Sequence, residues 1–361
     1  MKKKEIKDRE RNHEYGRSEC GTQVASGNKI SMLIPYRKGE KWGFCDTGRK
    51  IVVPTVYDFA LPFRDGLAPI RLNEKWGFID SKGNLAAPAI YDRVFPFGEG
   101  LVAVEVNNNF GYIDMRGKLA IPMIYNDEGP FSDGLAPVGL DGNFGYVDTN
   151  GKLVIPMIYD EALHFREGLA PVKLNEKWGF IDTKGKLVIP PVYDCVCQFS
   201  EGFGPVGLDG KYGYVDTKGK LAIPAIYDDE GIFSEGLAQV GLNGKYGFID
   251  ITGKLVIPAI YDIEDLFSEG LAAVELGDKC GFIDAKGRLA IPTVYDNAGS
   301  FRDGLAAVNL NGKWGFIDIK GNLAIPTVYD NAGFFRDGLA AVTLNGKHGF
   351  IDTKGTQYWE D

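Results

Sequence analysis

The sequence predicts an all-β protein built from tandem repeats, and two observations support this prediction. Between regularly spaced glycines, short runs of β-branched and aromatic residues alternate at period two, and no segment keeps a 3.6-residue period over a helical length. The glycines, most of which follow an aromatic residue, recur every 34 residues without an insertion or deletion: Gly43, Gly77, Gly111, Gly145, Gly179, Gly213, Gly247, Gly281, Gly315 and Gly349. Such a period is typical of repeat arrays, in which each unit packs on its neighbours.

Three strands are expected in each repeat, taking residues 168–201 as the example. The first is Leu169–Leu174, the second Lys177–Asp182 and the third Leu187–Tyr193. Asn-Glu or Asn-Gly joins the first two strands, and this pair suits a type I′ hairpin because Asn and Gly tolerate positive φ. Asp at the start and Gly at the end of the next turn suit a type I turn. Each repeat therefore reads as a three-stranded antiparallel meander.

Two residues within the repeat indicate where the strands lie in the sheet. A glycine in a strand, such as Gly179, often marks the close approach of another group, and we expect an aromatic ring, the recurring Tyr193, to pack over it. A proline cannot donate to a β-ladder, so a strand that contains one belongs at the edge of a sheet. The proline recurs at Pro54, Pro88, Pro122, Pro156, Pro190, Pro224, Pro258, Pro292 and Pro326.

The two ends of the repeat array decide between an open and a closed architecture. A single three-stranded meander is marginal in water, so the ten units expected over residues 29–352 must stack. No unit is visibly split between the chain ends, which favours an open, curved β-solenoid, with a closed propeller-like toroid as the alternative. The charged residues 1–28 are expected to be disordered. Residues 353–361 are expected to form a C-terminal cap through Tyr358 and Trp359.

The repeated motif resembles a known family. Lys-Trp-Gly-Phe-Ile-Asp, followed by Ile-Pro-x-x-Tyr-Asp, is similar to the WG (KWG) repeat of bacterial proteins over residues 29–352. The resemblance implies a β-rich array with a non-catalytic, interaction-type role. Other residues replace Trp in several repeats, at Phe110, Phe144, Tyr212, Tyr246, Cys280 and His348. Because an aromatic residue mostly suffices, this position indicates packing rather than indole chemistry.

Composition and charge exclude several classes of function. The chain has 361 residues and a net charge of −9, whereas a nucleic-acid partner would call for a basic patch, so none is expected. No run of 18 apolar residues is present, which argues against a membrane-spanning helix. The N-terminal basic residues precede no apolar segment, so no secretory signal is recognised and a cytoplasmic location is expected. The oligomeric state stays open.

No catalytic constellation is evident. The sequence lacks Gly-x-Ser-x-Gly, a P-loop and a dinucleotide-binding fingerprint, and its Gly-Lys pairs precede no helix. His13, His164 and His348 stand in different contexts, and two thiols at Cys195 and Cys197 do not make a tetrahedral metal site. We therefore expect a protein that is not an enzyme and that has no cofactor and no metal.

Two recurring features could be either functional or structural. The carboxylates typified by Asp182, Asp194 and Glu201 could form a ladder of cation or sugar sites, but turn capping is favoured. The aromatic ladder could bind a glycan or peptide if it is exposed, or form the spine of the array if it is buried. It comprises Trp42, Trp76, Phe110, Phe144, Trp178, Tyr212, Tyr246 and Trp314.

The segment between Tyr-Asp and the recurring Phe varies most from repeat to repeat. Variation at one place in every repeat is where binding arrays carry specificity, although these side chains could instead be partly buried against the next repeat. The candidate interaction residues are Phe95, His164, Val196, Ile232, Leu266 and Phe334. The predicted function is a non-enzymatic repeat scaffold that binds a protein or peptide through these inter-repeat loops. The alternative is a glycan- or cell-wall-binding module that uses aromatic side chains.

Overall fold

The computed structural model describes residues 33–361, except for the side chains of residues 263 and 264. These residues form ten β-sheets and no helix, and hence no helix that could cross a membrane. Each sheet, here called a blade and numbered 1–10 along the chain, has up to four strands in the order A–B–C–D. All-β architecture is thus confirmed.

The strands recur at equivalent positions in every blade. Strand A comprises Phe59–Ala60, Arg93–Gly98, Asp127–Glu128, Glu161–Ala162, Cys195–Val196, Asp229–Ser234, Ile263–Glu264, Asn297–Ala298 and Asn331–Ala332 in blades 2–10. Strand B comprises Ile34–Lys38, Leu67–Leu72, Leu101–Val106, Leu135–Leu140, Leu169–Leu174, Phe203–Leu208, Leu237–Leu242, Leu271–Leu276, Leu305–Leu310 and Leu339–Leu344. Strand C comprises Lys41–Cys45, Lys75–Asp80, Asn109–Asp114, Asn143–Asp148, Lys177–Asp182, Lys211–Asp216, Lys245–Asp250, Lys279–Asp284, Lys313–Asp318 and Lys347–Asp352. Strand D comprises Ile51–Tyr57, Leu85–Tyr91, Leu119–Tyr125, Leu153–Tyr159, Leu187–Tyr193, Leu221–Tyr227, Leu255–Tyr261, Leu289–Tyr295 and Leu323–Tyr329 in blades 1–9. One further strand, Trp359–Glu360, ends the chain.

Strands B, C and D are the three strands expected from the sequence, and in blade 5 their bounds coincide with the prediction. The B–C turn has positive φ at both Asn175 (51°) and Glu176 (66°), as a type I′ hairpin requires. Strand A was missed because it has only two residues in most blades and shows no alternation. It is formed by the variable segment, so this segment is part of the sheet and not a free loop.

The recurring glycine lies opposite a bulge in strand D. Trp178 pairs with Tyr193 and Phe180 pairs with Ile189, so three residues of strand D stand opposite Gly179 alone. A Cβ at Gly179 would lie 2.4 Å from the Ile189 carbonyl oxygen. The expected close approach is present, but the expectation that a Tyr ring packs over this glycine was wrong. The group that approaches is the backbone of the bulge at Pro190.

The hydrophobic core lies between blades. In one cluster Phe180, Ile189 and Tyr193 of blade 5 meet Phe199 and Val206 of blade 6, and all five are buried. The rings of Phe180 and Phe199 are in edge contact at 5.1 Å between centroids. Equivalent ring pairs occur at nine blade junctions. Because each blade completes the core of the next, no blade buries its apolar faces alone.

The two chain ends meet. Strand Trp359–Glu360 pairs in parallel with strand B of blade 1 and occupies the place of its strand A. The Gly39 N–H donates to the Glu360 carbonyl at 2.9 Å, and the Arg37 guanidinium donates to the His348 carbonyl at 2.8 Å. Trp42 of blade 1 contacts Phe350 of blade 10, with ring centroids 5.9 Å apart. Blades 10 and 1 are therefore neighbours.

This closure overturns the expected open solenoid. The array is a closed ring of ten blades, a β-propeller, which was the alternative. Closure could not be predicted from the sequence because the segment that closes the ring does not repeat the motif of strand A. It begins as an incomplete strand D of blade 10, where Gln357 bridges to Ile351, and then crosses to blade 1. The segment 1–28, expected to be disordered, lies outside the described residues.

Candidate interaction surface

Charged side chains fix the junctions between blades. Asp58, in the link between blades 1 and 2, accepts a hydrogen bond from Lys41 of blade 1 (2.6 Å) and from the Asn73 N–H of blade 2 (2.7 Å). These two interactions lower the pKa of the Asp58 carboxyl, the Lys41 hydrogen bond most. The same Lys–Asp pair recurs at seven junctions. The recurring Asp thus bridges two blades.

The other recurring carboxylates also accept backbone N–H groups. Asp182 accepts from Lys184 and Lys186, both at 2.9 Å, within the C–D turn. The carboxylate in each A–B turn, such as Glu201, accepts from a Gly N–H in the A–B turn of the next blade, at 2.8–3.0 Å in seven junctions. Both arrangements are turn capping, and the second one also ties neighbouring blades together.

Strand A is the inner strand of each blade. Its free edge faces away from strand D, and its A–B turn contacts the turns of both neighbours. Burial lowers the pKa of Arg64 in blade 2, and the charge of Arg336, which belongs to blade 10, lowers it further. Proximity across an intervening blade shows that these turns converge.

The inner segment carries a variable position that is not fully buried in any blade. The position recurs every 34 residues in blades 2 to 10; Pro occupies it in blades 2–4, and a different residue occupies it in each of blades 5–10. All nine side chains are half-buried or exposed: Pro62, Pro96, Pro130, His164, Gln198, Ile232, Leu266, Ser300 and Phe334. Four of the six candidate residues occupy this position: His164, Ile232, Leu266 and Phe334.

The candidate residues differ in their surroundings. Phe334 is the most accessible, at 38% exposed, and the Arg302 guanidinium lies 4.6 Å from its ring centroid. Phe95 is half-buried and contacts Phe110, with ring centroids 5.8 Å apart. Val196, one position earlier in the repeat than Phe95, packs against the core between blades 5 and 6. Ile232 and Leu266 are half-buried.

His164 makes a contact between blades. A ring nitrogen of His164 and the Gln198 side-chain amide are 2.9 Å apart. Burial, followed by the charge of Arg166, lowers the pKa of His164 to about 4. The imidazole is therefore neutral at neutral pH, and it links blade 5 to blade 6 at the variable position.

Carboxyl and thiol groups meet between blades 6 and 7. Burial, followed by the charge of Asp229, raises the pKa of Glu230 to about 8. Cys195 lies over Gly207, where a Cβ would be 2.2 Å from its sulfur, and burial raises the pKa of this thiol. Among the described side chains, no three His, Cys, Asp or Glu residues are grouped as metal ligands would be.

The aromatic ladder lies between the two expected extremes. Trp42 and Phe110 are buried, and the remaining six members are half-buried. Trp178, for example, packs against the core between blades 5 and 6, while Lys173 lies over its ring at 5.6 Å. Packing thus uses most of each ring and leaves one part accessible.

Sequence reasoning missed a second set of variable side chains. In each of blades 2–10 this row consists of three residues that pair across strands A, B and C, and in most of them its strand C member belongs to the aromatic ladder. In blade 2 the row is Phe59, Arg71 and Trp76, since Arg71 pairs across the sheet with both of the others. In blade 3 it is Arg93, Glu105 and Phe110. The signal was present in strand B, where the residue that pairs with the mostly aromatic position of strand C varies among the blades.

The closed ring of interdependent blades, with variable side chains on its inner strands, defines a β-propeller built from tandem repeats. The chain belongs to the WG-containing-repeat family, whose model matches nine consecutive segments: residues 42–76, 76–110, 110–144, 144–178, 178–212, 212–246, 246–280, 281–314 and 314–347. No curated protein matches the chain.

Solved structures resemble this chain at low sequence identity. A eukaryotic initiation factor is 13% identical with a TM-score of 0.53, over 92% of this chain and 95% of that one. The dihydro-heme d1 dehydrogenase NirN is 12% identical with a TM-score of 0.42, over 94% and 74%. Hsv2p of Kluyveromyces lactis is 10% identical with a TM-score of 0.37, over 63% and 93%. The first likeness concerns the fold alone.

Proposed function

We propose that this propeller is a non-enzymatic scaffold that binds a protein or peptide through variable side chains of its inner strands. One observation carries the proposal. The inner segment recurs in blades 2–10, while one of its side chains is Pro in blades 2–4, differs in each of blades 5–10 and is fully buried in none of them. A side chain that packing constrains only in part, and that lies at the same place in each blade, can vary to suit a partner while the strands stay the same.

Affinity purification from a lysate of the source organism tests this proposal. The wild-type ring is compared with a double variant, Ile232→Ser and Phe334→Ser, and with the control Leu187→Ser, which changes a 46%-exposed residue of strand D. We expect a stoichiometric protein on the wild-type and control beads that is lost from the double variant. Thermal melting verifies that all three chains are folded.

Two results would contradict the scaffold. One is the absence of any captured protein from wild-type beads, together with retention of the ring by the insoluble cell-wall fraction, which would favour the glycan-binding alternative. The other is equal loss of the captured protein from the control and the double variant, which would place the contact outside the inner strands.

A further inference from the structure

Two exposed arginines lie on aromatic rings in blades 2 and 3. The Arg71 guanidinium carbon is 6.0 Å from the ring centroid of Phe59 and 5.8 Å from that of Trp76. Phe59 also contacts Trp42 of blade 1, with centroids 5.0 Å apart. The rings beneath Arg71 are therefore held by packing, which restricts the positions that the guanidinium can adopt.

Arg93 in blade 3 has a similar platform. Its guanidinium carbon is 5.8 Å from the ring centroids of both Phe95 and Phe110. The Arg93 side chain is 61% exposed and forms an ion pair with Glu105, whose side chain is only 4% exposed. The Nε edge of the Arg93 guanidinium is thus held by Glu105 while the group lies over the rings of Phe95 and Phe110.

Equivalent cations elsewhere in the ring are neutralised by their neighbours. Arg37, in blade 1, is buried and pairs with Asp361 at 3.0 Å. Lys173, in blade 5, pairs with Glu161 at 2.6 Å while it lies over Trp178. Arg71 forms no ion pair with any carboxylate in the described part of the chain. The nearby Asp58 carboxylate, whose pKa the charge of Arg71 helps to lower, is bound by Lys41 at 2.6 Å. No described carboxylate therefore holds the Arg71 guanidinium in a salt bridge.

The charge of the row changes sign around the ring. Further along the chain, the positions on strands A and B carry no arginine, and several carry carboxylates: Asp127, Glu161, Asp229 and Glu275. Among the described residues, blade 2 is thus the one blade in which this row carries a cation over aromatic rings without a salt bridge, since Arg93 of blade 3 is paired with Glu105. Arginine and large aromatic residues are also the side chains that most often dominate the energy of a protein interface.

We propose that this surface, the Arg71 face (Phe59, Arg71, Trp76, Arg93 and Phe95), binds an acidic peptide segment, with a peptide carboxylate paired to Arg71. The proposal deepens the proposed scaffold function and rests on it. The charge complementarity comes from Arg71, whose planar fork matches a carboxylate with two hydrogen bonds. The aromatic rings flank the pair and limit its solvation, which strengthens the attraction.

Binding of defined peptides tests the Arg71 face. The probes are three fluorescein-labelled peptides of equal length with a central Trp and either Glu-, Gln- or Lys-rich flanks, titrated by fluorescence anisotropy. We expect the Glu-rich peptide to bind the wild-type ring. Arg71→Gln should weaken this binding by at least about tenfold, since it removes the charged donor that pairs with the peptide carboxylate. Added salt should also weaken binding.

The matched control is Lys173→Gln, which removes the equivalent cation of blade 5 that already has a carboxylate partner. This variant should bind the Glu-rich peptide within about twofold of wild type, because Lys173 is already paired with Glu161 and would not bind the peptide carboxylate. Equal binding of the Glu- and Gln-rich peptides, or an unchanged affinity of Arg71→Gln, would overturn the proposal. Thermal melting confirms that both variants are folded.

The purification and the peptide titration together distinguish a failure of the Arg71 face from a failure of the scaffold proposal. If the purification captures a partner on the wild-type beads and Arg71→Gln beads retain it fully, the scaffold stands and the Arg71 face is wrong. If no partner is captured by any variant and the Glu-rich peptide still binds through Arg71, the scaffold test has failed while the acidic-peptide site itself is supported.

Discussion

At the scale of single residues, the repeated Trp-Gly pair is explained by backbone contact. Gly179 stands opposite three residues of strand D, and a Cβ there would overlap the Ile189 carbonyl oxygen at 2.4 Å. The preceding Trp178 pairs with Tyr193 at the end of the same bulge. Only at Gly349 does an aromatic side chain take the place of this backbone, because the ring of Trp359 lies over it at the end of the chain.

Gly179→Ala should therefore destabilise the ring. The added Cβ must displace backbone atoms rather than a flexible side chain, so we expect a loss of about 2–4 kcal/mol in the free energy of unfolding. Gly299→Ala is the control, since a Cβ there meets no atom within 4 Å and Gly299 does not have positive φ. Denaturant unfolding of both variants measures the difference. Equal stabilities would refute the account of the bulge.

At the scale of elements, strand D has one buried and one exposed apolar face. Leu187 is 46% exposed and Val192 is 50% exposed, whereas Ile189 is 1% exposed. Strand D is the outer edge of its blade, and Pro190 removes one of the N–H groups that another chain could pair with. Exposed leucine, isoleucine or valine recurs on this strand in blades 1–9.

Two substitutions in strand D distinguish its faces. Leu187→Thr should change the free energy of unfolding by less than about 0.5 kcal/mol, because surface changes usually have effects of that size. Ile189→Thr should cost more than about 2 kcal/mol, because it places a hydroxyl in the core between blades 5 and 6. Thermal or denaturant melts of the pair provide the measurement. A larger loss for Leu187→Thr would mean that strand D is covered in solution.

The regular strands could be predicted because their signals are local. Alternation in Leu169–Leu174 and the Asn-Glu turn after it depend on neighbouring residues alone. Strand A could not be predicted in this way, since Glu161–Ala162 becomes a strand only by pairing with Val172 and Lys173. For the same reason Arg71 was overlooked as a candidate, because its aromatic platform joins residues of different strands.

At the scale of the whole molecule, the ring depends on its last residues. Trp359 is buried and belongs to the core of blades 9 and 10, while Tyr358 packs with Ile34, Tyr36 and Cys45 of blade 1. Arg37 joins the same region through His348 and Asp361. The final segment is therefore shared by the first and last blades.

Removal of residues 357–361 should open the ring. Blade 1 would lose its fourth strand and Trp42, Phe350 and Tyr36 would gain solvent exposure, so we expect a lower melting temperature and a larger radius of gyration by small-angle scattering. Trp359→Ala should shift both quantities in the same direction by a smaller amount. Thr353→Ala, in the exposed turn of the same tail, is the control. Unchanged scattering from the truncated chain would contradict closure through this segment.

Reading the sequence was enough to define the 34-residue unit, its strands B, C and D, their turns and the all-β class, because each rests on contacts between residues close in the chain. It also located the variable segment. Closure of the array is visible only in the folded chain, since it depends on the segment after the last full motif meeting blade 1. Asp361 of this segment accepts a hydrogen bond from Arg37, which lies 324 residues earlier in the chain. The fold also determines which charges of strand B are paired. Lys173 has a carboxylate partner and Arg71 lies over an aromatic ring because of the side chains that the neighbouring strands place beside them.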